Sequence, residues 1–127
     1  MIEPRFLLDT NILIYLIGGA SAVLRTRVEA LQPGEAVTSA VSAAEVAVGL
    51  RDAEPIVHEM VTRLYRQIPP LPFDHAAAER FGGLPYRRGA ADRLIAAHAI
   101  SLNLVLITNN ARDFADIPDL KVENWTV

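Results

Sequence analysis

Three acidic residues occupy positions from which carboxylates can do chemistry. Asp9 ends an apolar run that is predicted as a strand, and ligands of open α/β sheets bind beyond such strand ends. Glu45 and Asp92 each lie within small, apolar helical sequence, interrupted after Asp92 by one arginine, which limits their contact with water. Carboxylates in such surroundings need a nearby cation or take up a proton. Because oxygen ligands without His or Cys suit Mg²⁺ or Mn²⁺, the three acids indicate a divalent-metal site if the fold brings them together.

Each acid also has a purely structural interpretation. Asp favours helix N-caps, so Asp9 is equally suited to capping the segment that follows it. The stretch 42–45 has the form of a capping box, in which Ser42 caps a helix and Glu45 reaches back to it from the first turn. Asp92 is predicted in the first turn of another helix, where acids are common. Sequence position alone leaves both interpretations open.

The elements predicted around the acids alternate between strands and helices. Apolar strands are predicted at residues 5–9, 36–38 and 104–108, and an edge strand at 122–125. Amphipathic spacing predicts helices between them. This alternation is typical of an α/β fold with a mainly parallel central sheet flanked by helices. By its length, the chain is predicted to form one domain, residues 1–127. The predicted helices cover residues 11–17, 21–31, 42–51, 54–66, 75–81 and 90–102.

Composition narrows the possible partners and compartment. The chain has no cysteine, which excludes disulfides, thiolate metal sites and cysteine nucleophiles, and which suits the cytoplasm. The histidines at positions 58, 75 and 98 lack the spacing of metal ligands. The longest apolar run, residues 12–17, is too short to span a bilayer, so no membrane partner is expected. A net charge of −3 argues against general nucleic-acid binding but allows a locally basic, metal-dependent site.

Four stretches in order carry a specific combination of residues. They are Leu-Leu-Asp-Thr-Asn at 7–11, Ser-Ala-Ala-Glu-Val with Gly-Leu at 42–50, Ala-Asp-Arg-Leu-Ile-Ala-Ala at 91–97 and Thr-Asn-Asn-Ala-Arg-Asp-Phe at 108–114. In this order they resemble the motifs of PIN domains, most closely those of VapC-type toxins of bacterial toxin–antitoxin pairs. The resemblance extends over nearly the whole chain and implies a PIN-like three-layer sandwich.

The resemblance also implies a metal-dependent endoribonuclease with Mg²⁺, or else Mn²⁺, as its cofactor. Asp9, Glu45 and Asp92 match the family's three main acids and are the expected metal ligands. Many relatives carry a fourth acid where this chain has Asn110. Asp113, three residues later, is the other candidate for that position, and it is counted with the three main acids as a catalytic candidate.

RNA hydrolysis suits these residue types. A divalent ion polarises a phosphodiester and lowers the pKa of a bound water, and a carboxylate can assist proton transfer. Single-stranded or loop RNA is the expected substrate, because its extruded bases are open to readout. An arginine near the site has two interpretations, namely phosphate contact or pairing with an acid. The candidate substrate-contacting or supporting residues are Thr10, Asn11, Asn110, Arg87, Arg88, Arg93 and Arg112.

Two other functions stay open. Asp9 as a phosphotransfer nucleophile would be similar to haloacid dehalogenases or receiver domains, but those use a second nearby acid and a lysine, whereas Asn11 follows here and Lys121 is the only lysine. A catalytically weakened PIN-like module that only binds RNA or protein is favoured by Asn110 alone.

The family resemblance implies particular partners. They are a cognate antitoxin protein, an RNA substrate and a second copy of the chain in a homodimer, or a larger complex with the antitoxin. The apolar stretch 41–64 fits either a core or a groove for such a partner.

Overall fold

A parallel sheet runs through the centre of the chain, of which the computed structural model describes residues 2–85 and 91–127. Its strands in these ranges are β1 (Phe6–Leu8), β2 (Ala36–Ser39), β3 (Pro70–Leu71), β4 (Val105–Ile107) and β5 (Val122–Glu123). They pair in parallel in the order β3-β2-β1-β4-β5. The central position of β1 places Asp9 between the carboxyl ends of β2 and β4.

Short polar side chains begin several of the helices that connect these strands. Asp9, Ser21 and Asp74 each accept a hydrogen bond from the backbone N–H three residues further on, at 3.0, 3.1 and 3.0 Å. These bonds satisfy N–H groups that have no partner inside a helix. Gly19 ends the first helix with φ of 69°, a conformation that favours glycine. The helices are α1 (Thr10–Gly18), α2 (Ala22–Glu29), α3 (Ala40–Gly49), α4 (Pro55–Gln67), α5 (His75–Gly82) and α6 (Ala91–Ser101), and a 3₁₀ turn covers Ala111–Phe114.

Alternating side chains of the strands build a core on each face of the sheet. Phe6 and Leu8 of β1 pack on one face with residues of α1, α2 and α3, whereas Leu7 packs on the other face with residues of α6. This is the period-two alternation of a strand that is buried on both sides. The predicted α/β class, a three-layer arrangement with a parallel central sheet, is therefore confirmed.

The start of α3 differs from the prediction. The capping box placed Ser42 at the helix N-cap and Glu45 in its first turn. In the structure β2 continues to Ser39, which pairs with Leu71 of β3, and the Ser39 hydroxyl caps α3 by accepting from the Val41 N–H at 3.1 Å. Ser42 is buried within α3, and Glu45 lies beyond its first turn. The pairing of β2 with its neighbour, which is a long-range contact, overrode the local motif.

The stretch 41–64 contributes less to the core than its apolar content suggests. None of the residues of α4 is buried, and Val48, Ile56 and Met60 are exposed. Val46 and Leu64 of this stretch do belong to the core or pack against it, so a core role and a partner-binding surface both stay open. No helix in the described ranges is long and apolar enough to cross a membrane.

Candidate active site

A polar cavity of about 90 Å³ lies at the carboxyl end of the central strands. It forms where β1 and β4 end beside the first turns of α1 and α6, with α3 facing them. This is the edge at which open parallel sheets bind their ligands. The fold thus brings together the three main acids, which are far apart in the sequence. The lining residues are Asp9, Thr10, Asn11, Glu45, Asp92, Thr108, Asn110 and Phe114.

Asp9 forms the floor of the cavity, and only 6% of its surface is exposed. Its Oδ1 accepts a hydrogen bond from the Ile12 N–H at 3.0 Å, so the residue caps α1 and lines the cavity at once. Burial raises the pKa of Asp9 above its usual value, and the charges of Asp92 and Glu45 raise it further, whereas hydrogen bonds from Thr108 and Ile12 lower it. The two interpretations of Asp9 are therefore compatible.

Glu45 reaches the cavity from the exposed side of α3. The Thr10 hydroxyl donates a hydrogen bond to its Oε1 at 2.5 Å. Thr10 is the first residue of α1, directly after Asp9, so this bond joins α1 to α3 across the mouth of the cavity. Thr10 thereby orients Glu45 as well as lining the cavity next to Asp9.

Asp92 lies at the rim, in the first turn of α6 as predicted. Partial burial raises the pKa of its carboxyl group, and the negative charges of Glu45 and Asp113 raise it further, against a lowering by Arg93. The charges of the surrounding acids therefore add to burial in opposing the ionisation of Asp9 and Asp92.

Asn110 and Asp113 adjoin the cavity after β4. The Asn110 backbone N–H donates to the Thr108 hydroxyl at 3.1 Å, and its side-chain amide donates to Asp113 Oδ2 at 2.5 Å. Asn110 lines the cavity, whereas Asp113 lies on the exposed 3₁₀ turn, near enough for its charge to act on Asp92. Asn110, at the position where many relatives carry an acid, thus forms a hydrogen bond with the neighbouring acid Asp113.

The predicted arginines occupy different environments. Arg93 is buried in α6, and its Nη2 donates to Asp116 Oδ1 at 2.8 Å, whereas Arg112 is exposed on the 3₁₀ turn. Arg87 and Arg88 lie outside the described residues. For Arg93 the structure favours pairing with an acid, the second of the two interpretations that the sequence allowed.

Sequence comparison places this chain in a known family. The family model for the PIN domain matches residues 6–120. The chain belongs to the PIN domain family. It is 32% identical to a tRNA(fMet)-specific endonuclease VapC of Shigella flexneri, with 96% of this chain and 98% of the relative covered. It is 36% identical to ribonuclease VapC1 of Haemophilus influenzae, with 95% of this chain and 98% of that protein covered.

Solved structures agree with this membership. The crystal structure of VapBC2 from Rickettsia felis, bound to a DNA fragment from its promoter, matches this PIN domain with a TM-score of 0.84. The two are 26% identical, and the match covers 98% of this chain and 99% of that one. The resemblance to VapC-type PIN domains is therefore confirmed in both sequence and fold.

The donor set of this PIN domain suits a hydrated hard cation. Within residues 2–85 and 91–127, no group of three His, Cys, Asp or Glu side chains is arranged to hold a metal ion. Mg²⁺, however, keeps several waters and is commonly held by one or two carboxylates together with substrate phosphates. Asp9 and Asp92 provide such oxygens. Burial, and after it the charges of neighbouring acids, raise the pKa values of both, and a cation would oppose both effects. The residues therefore fit an ion that is held partly through water.

Two lining residues were absent from the predicted site. Thr108 follows β4 as Asp9 follows β1, and its side chain forms a hydrogen bond with Asp9. Phe114, the last residue of the 3₁₀ turn, is buried and supplies an apolar wall. The rule that pointed to Asp9, a polar residue at the end of a parallel strand, also identifies Thr108. No comparable local signal distinguishes Phe114 from a core residue.

A second, apolar cavity of about 310 Å³ lies on the other side of Glu45, between α1 and α3. We call it the apolar groove. Glu45 lines both this groove and the acidic cavity. The groove is lined by Ile14, Ile17, Gly18, Glu45, Val46, Gly49 and Leu50.

Proposed function

We propose that this PIN domain is an endoribonuclease toxin of a toxin–antitoxin pair, which hydrolyses phosphodiester bonds in RNA. The observation that carries the proposal is the acidic cavity, where Asp9, Glu45 and Asp92 meet at the carboxyl end of the sheet. The chain's 32% and 36% identity to VapC ribonucleases over nearly their whole length supports the same activity. As a family, PIN-domain VapC nucleases depend on divalent metal ions.

Asp9, Asp92 and Glu45 are the proposed ligands of one Mg²⁺ or Mn²⁺. When bound, the ion would polarise the phosphodiester and lower the pKa of a water molecule. Asp9 is fixed by its bond to the Ile12 N–H, so it presents a rigid oxygen to the ion. Glu45 is oriented by Thr10 and lies at the solvent-exposed mouth, where it can also accept a proton from the attacking water.

Asp113 is the proposed fourth acid, with Asn110 as its hydrogen-bonding support. The 2.5 Å bond from the Asn110 amide to Asp113 Oδ2 fixes one oxygen of that carboxylate, and Asp113 acts electrostatically on Asp92. An asparagine at position 110 is therefore compatible with catalysis. The chain keeps an acid three residues later, which argues against a catalytically weakened module.

Substrate contacts are proposed for residues at the mouth of the cavity. Thr10 and Asn11 lie there, and Arg112 is exposed on the adjacent turn, where its planar fork suits a phosphate. The same role stays a prediction for Arg87 and Arg88. Because the Shigella flexneri relative is named as tRNA(fMet)-specific, tRNA is the first RNA to test.

The proposed protein partner is an antitoxin that covers the acidic cavity. The structural relative from Rickettsia felis is a VapBC complex, and the apolar groove beside Glu45 offers an apolar surface to such a partner. A homodimer, a cytoplasmic location and a single domain spanning residues 1–127 stay predictions.

Cleavage of RNA by the purified chain, free of any antitoxin, tests the proposal. Total tRNA and a single-stranded oligonucleotide are incubated with Mg²⁺, with Mn²⁺ or with EDTA, and the products are resolved by gel electrophoresis. We expect cleavage that needs the metal and that Asp9→Asn abolishes. RNA binding without cleavage under every metal condition would contradict a nuclease and identify a binding module.

A further inference from the structure

Arg93 joins the two segments that carry the rim acids Asp92 and Asp113. It directly follows Asp92 in the first turn of α6, and only 5% of its side chain is exposed. Its Nη2 donates to Asp116 Oδ1 at 2.8 Å and to the backbone carbonyl oxygen of Asp113 at 3.3 Å. Through these bonds, the first turn of α6 is tied to the 3₁₀ turn and the residues after it.

Burial gives this link its strength. Hydrogen bonds between a guanidinium and a carboxylate are charge-assisted, and inside a protein they are expensive to break because the remaining charge is left without a partner. An arginine held in this way does not reach out to an RNA phosphate. It fixes the distance between the two backbone segments that it joins.

The Asp113 carboxylate is consequently held from two sides. Arg93 holds its backbone carbonyl, and the Asn110 amide holds Oδ2 of its side chain. Both Asn110 and Asp92 line the acidic cavity. A small shift of the 3₁₀ turn would therefore move the Asp113 carboxylate relative to Asp92.

We propose that Arg93 is a positioning residue, which sets the place of the Asp113 carboxylate relative to Asp92 by clamping the 3₁₀ turn onto α6. The proposal rests on the proposed function, in which Asp113 is the fourth acid. Misplacing a catalytic group by about 1 Å can cost roughly 100-fold in rate, so the loss of the clamp is expected to be measurable.

A double-mutant cycle tests this role, because Arg93 contacts the backbone of Asp113 and that contact survives in Asp113→Ala. The variants are Arg93→Met, Asp113→Ala and the two combined, and the measurement is kcat for an RNA oligonucleotide at saturating RNA and Mg²⁺. We expect roughly 30-fold loss for Arg93→Met, roughly 100-fold for Asp113→Ala, and no further loss for the double variant.

Controls separate positioning from general damage to the fold. Arg63→Met removes an exposed arginine that pairs with Glu59 on α4, and it should leave kcat unchanged. Arg93→Lys keeps the charge but not the fork, so it should recover part of the lost rate. If Arg93→Met does not fold, Asp116→Asn replaces it in the cycle, since it weakens the same clamp from the other side.

The outcomes are distinct. Multiplying losses, to roughly 3,000-fold in the double variant, would show that Arg93 acts independently of Asp113 and would overturn the proposal. An unchanged kcat in Arg93→Met would also overturn it. Full activity of Asp113→Ala would show that Asp113 is not a catalytic acid, and it would overturn the role proposed for Arg93 as well. The nuclease proposal would still stand if Asp9→Asn were inactive in the same assay.

Discussion

Helix α6 carries two partly or fully buried titratable residues, Asp92 and His98, whose surroundings differ. Asp92 lies in its first turn, near other acids. Burial raises the pKa of Asp92, and the charges of Glu45 and Asp113 raise it further. His98, two turns later, is 1% exposed, and its Nδ1 lies 2.8 Å from the hydroxyl oxygen of Ser39. Among residues 2–85 and 91–127, no Lys, Arg or His side chain lines the acidic cavity, whereas Nδ1 of His98 has a hydrogen-bond partner.

The His98 contact belongs to the framework of the fold. Burial lowers the pKa of His98, although the Asp74 charge and a backbone hydrogen bond at Pro72 act in the other direction. The ring also packs edge-on against Phe73, with centroids 5.5 Å apart. Because Ser39 caps α3, this neutral contact joins α6 to the start of the helix that carries Glu45.

The comparison shows that α6 contributes to the candidate active site through Asp92 and to the stability of the fold through His98. Repulsion between carboxylates costs stability and creates a demand for a cation, while a buried hydrogen bond between neutral groups supports the fold without adding charge. If the division holds, substitutions among the acids and their partners should change catalysis, and substitutions at His98 should change stability.

Asp9→Asn should have the largest effect, since it should lower the rate of cleavage and raise the stability of the fold. The amide oxygen still caps α1, since Asn and Asp cap equally well, but the negative charge is gone. We expect cleavage to fall at least roughly 1,000-fold and the melting temperature in EDTA to rise by about 3 °C. Initial rates and thermal unfolding at pH 7 measure the two changes. Full activity would contradict the proposal that Asp9 binds a catalytic metal ion. A lower melting temperature would contradict the argument that the charge of Asp9 destabilises the fold.

His98→Ala should lower stability and leave the rate of cleavage nearly unchanged. Truncating a buried ring leaves a cavity and deprives the Ser39 hydroxyl of its partner, which together cost about 3 kcal/mol. Urea unfolding gives this value, and cleavage well below the melting temperature should stay within about threefold of the wild type. His75→Ala, at an exposed position, serves as the control and should change stability by less than about 0.5 kcal/mol. Loss of cleavage in a folded His98→Ala protein would show that the two sites are not separate.

Thr10→Val removes one bond within the acidic cavity. Without the hydroxyl that donates to Glu45 Oε1, the carboxylate loses its orientation, and we expect roughly tenfold slower cleavage. The free energy of unfolding should stay within about 0.5 kcal/mol, because Thr10 is only partly buried. Thr10→Ser, which keeps the hydroxyl, should restore most of the rate. Equal rates for Val and Ser would show that the bond has no catalytic role.

The pH dependence of stability should give the smallest effect. The folded state holds the pKa of His98 below its ordinary value near 6.5, so the unfolded chain binds more protons as the pH falls below about 6.5. The stability that His98 contributes is complete above that pH and declines as the pH falls through the folded-state pKa. The difference in unfolding free energy between wild type and His98→Ala should therefore narrow from pH 7.5 to pH 5. A constant difference would mean that His98 does not titrate differently on folding.

Asp9 and Asp92 should make the fold more stable, not less, as the pH falls. Asp9 and Asp92 have folded-state pKa values above the ordinary 3.8, so the folded state binds more protons than the unfolded one in the window above 3.8. Acidification through that window neutralises the two buried carboxyl groups, which removes the cost of burying their charges and relieves their repulsion by other acids. Asp9→Asn should show less of this acid stabilisation than the wild type does, when both are measured in EDTA.

The sequence by itself determined the order of strands and helices along the chain and the α/β class, and it singled out three acids that line one cavity. These depend on signals that are local in the chain. Apolar runs mark the strands, Asp74 caps α5 as predicted, and Gly18 and Gly19 end α1. The four ordered motifs also identified the family, because each one is a short run of residues.

Only the tertiary structure decided which polar groups meet. Ser39 displaced Ser42 as the cap of α3 because β2 pairs with β3 as far as Ser39. Arg93 is turned inward to Asp116, and His98 meets Ser39 across 59 positions of the sequence. The period of a helix indicates which of its faces is buried, but the partner on that face comes from a different element, and strand register and helix packing set its position.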